Sequence, residues 1–163
     1  MDTAPQTSAQ ALQVMLAVLR GLAFVHNCNI IHTDLKPENV LFKRNSEPAI
    51  ADFGSATERG SARELQRRAN VRLASPELLE NWPFDTHTDI YSLGQTLLDV
   101  ISPPGPDSMY LALFQIPLEE LQTLPCSMAN YIRGLVATDP TLRPSAECAA
   151  EQLQSVALQL GCC

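Results

Sequence analysis

The chain is short of basic charge. Eleven Lys and Arg stand against eighteen Asp and Glu in 163 residues, a formal net charge of −7. A general nucleic-acid binder needs a basic face to replace phosphate counterions, so this balance argues against one. The opening MDTAPQTSAQ has neither a basic n-region nor an apolar h-region, and no secretory signal is read from it. Long apolar runs are scarce too. The most apolar stretch, Val14 to Val25, is broken by Arg20 and falls short of the roughly 20 residues of a membrane span, which predicts a soluble chain. No C-x-x-C pair occurs. The five cysteines (Cys28, Cys126, Cys148, Cys162, Cys163) are odd in number and scattered, which disfavours a disulfide framework or zinc site. They fit a reducing, intracellular compartment, cytoplasmic or nuclear. The closing Gly161-Cys162-Cys163 has two readings, a lipidated tail and a frayed terminus.

What is present suffices for one domain with a core: 45% apolar and only 18% charged residues. Residues 1–7 form a polar lead. From Ser8, an N-cap by its residue type, apolar residues form a wide face at helical spacing (Leu12, Leu16, Leu19 and Ala23 with Met15, Val18, Leu22 and Val25) until about His26-Asn27. Three short β-prone runs follow, Ile30-Ile31, Val40-Leu41-Phe42 and Ala49-Ile50-Ala51, separated by a polar loop and a turn. Residues 54–73 are polar and Arg-rich, a length of loop uncommon in a compact domain unless it is functional. Beyond Pro76 the helical pattern returns. Thr88 to Ile101 reads as a central buried helix ended by Pro103-Pro104-Gly105-Pro106, with further helices at about 107–115, 126–137 and 145–159.

Several segments carry chemistry. His32-Thr33-Asp34-Leu35-Lys36-Pro37-Glu38-Asn39 is followed thirteen residues after Asn39 by Asp52-Phe53-Gly54, then by Ser75-Pro76-Glu77, Asp89 and Arg143. Taken alone, Asp34 and Asn39 also suit Asx-turn chemistry in a polar loop. Together and in order, the segments resemble the protein-kinase catalytic loop H-x-D-L-x-x-x-N, the D-F-G element, A-P-E, the start of the central helix, and a late arginine that pairs with the A-P-E glutamate. The stretches 32–42 and 52–57 further resemble LAMMER-type dual-specificity kinases, although Ala74 replaces their arginine before A-P-E and the LAMMER signature is missing.

The resemblance implies a serine/threonine kinase, transferring phosphate from ATP to protein hydroxyls with Mg²⁺. It implies Asp34 as the base, Lys36 at the transferring phosphate, and Asn39 and Asp52 as metal ligands. Glu38 would lie at the ribose and Leu41 under the adenine. His32, Asp89 and the Glu77–Arg143 pair take structural parts.

The resemblance spans about Ser8 to Leu158 and only the family's C-terminal lobe. The predicted fold is therefore mainly α with short β hairpins, a kinase-like C-lobe with the N-lobe absent. Residues 8–159 form the lobe, with the catalytic loop at 32–39, the D-F-G-to-S-P-E segment at 52–77 and a tail at 160–163. No G-x-G-x-x-G occurs, and no lysine precedes Lys36. The expected partners are a protein substrate and a protein chain that supplies the N-lobe or regulates it, with no nucleic acid and no membrane span. Two functions stay open: the catalytic half of a kinase, inactive alone, and a non-catalytic, pseudokinase-like interaction module.

Two departures bear on regulation. In kinases with H-R-D the arginine receives a phosphorylated loop residue, which Thr33 cannot do. No Ser, Thr or Tyr lies between Ala62 and Leu73, and Asn70 stands where many of these kinases have threonine.

Overall fold

The computed structural model describes residues 8–61, 73–101 and 124–161. The helix expected at 107–115, the proline break at 103–106, the loop stretch 62–72 with Asn70, the lead 1–7 and the pair Cys162-Cys163 lie outside the described residues. The rest is mainly helical with a few short strands.

Helix α1 (Ser8–Asn27) starts one residue before an N-cap at Ser8 would place it. The short strand β1 (Ile30–Ile31) leads into a loop and a single 3-10 turn, Pro37–Asn39. Strands β2 (Val40–Phe42) and β3 (Pro48–Ile50) then pair antiparallel, Val40 opposite Ile50 and Phe42 opposite Pro48. Turn chemistry dictates this hairpin: Ser46 takes positive φ, Lys43 N–H bonds Glu47 O, and Asn45 accepts from Glu47 N–H. A second 3-10 turn, Phe53–Ser55, precedes β4 (Thr57–Glu58). β4 pairs with β1, Ile31 opposite Thr57, so this second ladder is a long-range pairing and not a hairpin.

Helices α2 (Pro76–Leu79), α3 (His87–Ile101), α4 (Cys126–Leu135) and α5 (Ala146–Gln159), with a third 3-10 turn at Pro140–Leu142, complete the described elements. One core joins α1, α3, α4 and α5. Leu12, Met15, Leu19 and Leu22 of α1 meet Ile90, Leu93 and Leu97 of α3, Ile132 and Leu135 of α4, and Ala149 and Leu153 of α5. Each set recurs at three or four residues, which places it on one helix face. α3 and α4 approach closely at Gly94, where an added Cβ would sit 2.6 Å from Val136 Cγ1 and 2.8 Å from Leu135 Cβ. Ser145 caps α5 by accepting from Cys148 N–H at 3.2 Å.

The length expected for the first apolar stretch needs correction. Ala9–Asn27 runs 19 residues at a mean hydropathy of 1.4, long and apolar enough to cross a bilayer by those two measures. Arg20 lies on the exposed side of α1 and so does not interrupt its buried stripe, which is the core of the domain.

Candidate active site

The site is assembled where β1, the 3-10 turns and the N-terminal end of α3 converge. Asp89, fully buried in the first turn of α3, is the anchor. Its Oδ2 accepts His32 N–H at 2.8 Å and its Oδ1 accepts Thr33 N–H at 2.8 Å. A carboxylate at a helix N-terminus also complements the helix dipole. His26, at the end of α1, adds its Nε2 to Asp89 Oδ2 at 2.9 Å. No local sequence signal marked His26, because its partner is 63 residues away.

His32, fully buried, ties the loop to the D-F-G element. Asp34 N–H can only donate, so Nδ1 accepts it (3.4 Å) and the ring proton sits on Nε2, donating to Ala51 O at 2.9 Å. The ring also meets Phe53 edge-on, centroids 4.9 Å apart. A backbone bond from Ala51 N–H to Asn39 O, 2.8 Å, draws the two motifs together.

Asp34, Lys36 and Asn39 form one cluster. Lys36 Nζ bonds Asp34 Oδ2 at 2.6 Å, and Asn39 Nδ2 donates to Asp34 O at 2.8 Å. The hydrogen bond to Asp34 raises the Lys36 ammonium above its ordinary value against a lowering by burial, and the charges of Asp34, Glu38 and Asp52 add to the rise. Asp34 Oδ1 is buried and has no hydrogen-bond partner among the described residues. A buried carboxylate oxygen left unpaired is costly, and it is an acceptor directed at nothing the described chain provides.

Asp52 sits in the left-handed region (φ 60°, ψ 70°), its Oδ1 accepting Gly54 N–H at 3.2 Å. Glycine suits position 54 because a Cβ there would press within 3.1 Å of that oxygen. Glu38 is exposed on the first 3-10 turn. Leu41 and Phe53 are 56% and 43% exposed beside the cluster. The amide oxygen of Asn39 and the carboxylate of Asp52 are hard donors suited to Mg²⁺. No group of three His, Cys, Asp or Glu that could hold a metal occurs among the described residues, so an ion here would need phosphate oxygens to complete its shell.

A second polar cluster, Glu77 with Arg143, is bonded to His87 and Thr88 at the start of α3. All five guanidinium N–H groups are used. Two go to Glu77 (NH1–Oε1 2.5 Å, NH2–Oε2 3.0 Å), and the others to Ala137 O, His87 O and Thr138 O. Thr88 donates to Glu77 Oε1 at 2.8 Å, and the guanidinium lies 4.9 Å from the Tyr91 ring centre. Burial alone would raise the Glu77 carboxyl, but the bonds from Arg143, its own backbone N–H and Thr88, with the Arg143 charge, hold it below the ordinary value.

The protein kinase domain family matches residues 2–154 of this chain. The chain is 33% identical over 144 residues to a probable serine/threonine-protein kinase of Dictyostelium discoideum, covering 82% of this chain and 12% of that protein. It is 32% identical over 157 residues to serine/threonine-protein kinase dst2 of the same organism (87% and 14%). Identity is 29% over 159 residues to serine/threonine-protein kinase STY46 of Arabidopsis thaliana (91% and 28%). The chain thus spans between about an eighth and a little over a quarter of the length of these relatives.

Proposed function

This chain belongs to the protein kinase family, and on that premise we propose that residues 8–159 are the C-terminal lobe of a serine/threonine kinase, carrying its base and metal ligands. The observation that carries this reading is the Asp34 cluster: a half-buried carboxylate whose buried Oδ1 is unpaired and whose Oδ2 is held by Lys36, its backbone carbonyl fixed by Asn39. Asp34 Oδ1 accepts the proton of an incoming protein hydroxyl and aligns that oxygen for attack. Lys36 turns its ammonium to the transferring phosphate, while Asn39 and Asp52 offer their oxygens to Mg²⁺. Mg-ATP, when bound, supplies the phosphoryl group and the charge neutralisation. Glu38 takes the ribose and exposed Leu41 the adenine.

Positioning by the two lobes contributes on the order of 7–11 kcal/mol to such a reaction. These 163 residues contain no Gly-rich phosphate loop and no lysine ahead of Lys36, so alone they hold Mg-ATP weakly and transfer no phosphate. An N-lobe, in the same protein or from another chain, completes the site. The likeness of residues 32–42 and 52–57 to LAMMER-type kinases supports that branch over a short stretch only. A second reading, a non-catalytic interaction module, draws on the exposure of Leu41 and Phe53.

A thermal-shift titration with Mg-ATP and a radiolabel transfer assay, with and without an added kinase N-lobe, separates the two. Transfer that appears with the N-lobe and disappears in Asp34→Asn is expected. Transfer that survives Asp34→Asn overturns the assignment of the base, and none under any condition favours the interaction module.

A further inference from the structure

We propose that the Thr33 hydroxyl is a built-in clamp, a positioning group that locks the Asp52–Ser55 turn onto the catalytic loop in the unmodified chain. Its consequence for catalysis rests on the kinase reading above, but its geometry does not. Thr33 is 4% exposed and has φ 66°, a left-handed conformation that is a genuine outlier for a β-branched residue. Such strain persists only where surrounding contacts over-determine it. Two contacts do so from different directions. Thr33 N–H bonds Asp89 Oδ1 at 2.8 Å, and Thr33 Oγ1 donates to Ser55 O at 2.8 Å.

The second bond completes a two-point grip. His32 Nε2 holds Ala51 O and Thr33 Oγ1 holds Ser55 O, so consecutive loop residues fasten the backbone on either side of Asp52. Asp52 directs its own carboxylate to Gly54 N–H inside the turn. Its aim relative to Asp34 and Asn39 therefore follows from where the backbone at 51 and 55 is held. A neutral hydroxyl on a neutral carbonyl needs no anion to complete it. An arginine at this position waits for a phosphate; Thr33 makes its bond from the chain as synthesised.

The test is site-resolved amide exchange on the full chain, expressed in bacteria and phosphatase-treated, as wild type, Thr33→Val, Thr33→Gly and Thr33→Ser. The reporters are Ala56 N–H and Arg59 N–H, which bond Phe53 O and Asn29 O. Val136 N–H, bonded to Ile132 O in the helical base, is the control. Loss of one buried hydrogen bond should speed the reporters by about tenfold in the Val and Gly variants, with Ser restoring the slow rate. Glycine also relieves the positive φ, so its urea midpoint stays level or rises while the reporters speed up, a split that a purely structural role does not produce.

Reporters unchanged in Thr33→Gly, or reporters and control speeding together, overturn the clamp. If Thr33→Val does not fold, the Gly and Ser variants decide. A chain that shows the local split yet never transfers phosphate with an added N-lobe keeps the clamp and overturns the kinase reading instead.

Discussion

The loop face and the helical base treat polar groups in opposite ways. In the base, Arg143 spends every N–H on a partner and Glu77 has both oxygens bonded, with the pair nearly solvent-free. On the loop face, Asp34 keeps a buried oxygen unpaired, Thr33 and Asp52 hold left-handed backbones, and Leu41 and Phe53 stand open to solvent. The base is arranged for stability, whereas the face withholds stability to keep acceptors free. The contrast is between a carboxylate oxygen left unpaired beside a left-handed, β-branched Thr33 and an ion pair whose donors and acceptors are all used.

Breaking the base should cost most. Arg143→Ala strands the buried Glu77 carboxylate and is expected to lower unfolding free energy by about 3–5 kcal/mol, read by urea denaturation. Replacing both partners by apolar residues of similar size should cost much less, because no unpaired charge remains. Equal losses in the single and double variants would mean that the pair is not the keystone of the base.

Acid probes the same pair more gently. The folded-state value of Glu77 lies below its ordinary value of 4.5, so its contribution is complete above that pH. As pH falls through the folded value the unfolded chain has bound the extra proton first, and the contribution is lost. Wild-type stability should therefore drop more steeply below pH 4.5 than that of Glu77→Gln, measured by urea midpoints across pH 3 to 6. Parallel slopes would place the acid sensitivity elsewhere.

The smallest effect should carry the opposite sign. Asp52→Gly removes a strained left-handed side chain and is expected to leave stability unchanged or raise it by up to about 1 kcal/mol in thermal or urea unfolding, while removing the carboxylate proposed above as a Mg²⁺ ligand. A loss of several kcal/mol would show that Asp52 supports the fold as Arg143 does, and the contrast between the two regions would collapse.

Much of this was legible from residues alone. The three- and four-residue spacing marked a wide apolar face on α1, of which Leu12, Met15, Val18, Leu19, Leu22 and Ala23 are buried while Leu16 and Val25 are only partly so, and Ile90, Leu93, Leu97 and Leu98 marked α3. The order of Asp34, Asn39, Asp52, Glu77, Asp89 and Arg143 indicated a family before any fold was drawn. The β1–β4 ladder was not legible: Ile30 and Glu58 are far apart in sequence, and two-residue strands have no period to read. Nor was His26, whose bond to Asp89 closes only when α1 lies along α3. The third β-prone run was displaced by one residue, to Pro48–Ile50, because pairing with Val40–Phe42 rather than apolarity set its ends.

Periodicity and motif order are local properties of a chain, set by backbone geometry and side-chain chemistry, and they were enough for the four long helices among the described residues, the family and the identity of the polar residues. That Thr33 reaches Ser55, that His26 and Thr33 N–H meet on Asp89, and that Arg143 reaches Glu77 and His87 depend on contacts between residues 22 to 66 positions apart. Those contacts form only when the shared core brings their backbones together, because a hydrogen bond is decided by a few tenths of an ångström that no one-dimensional pattern encodes.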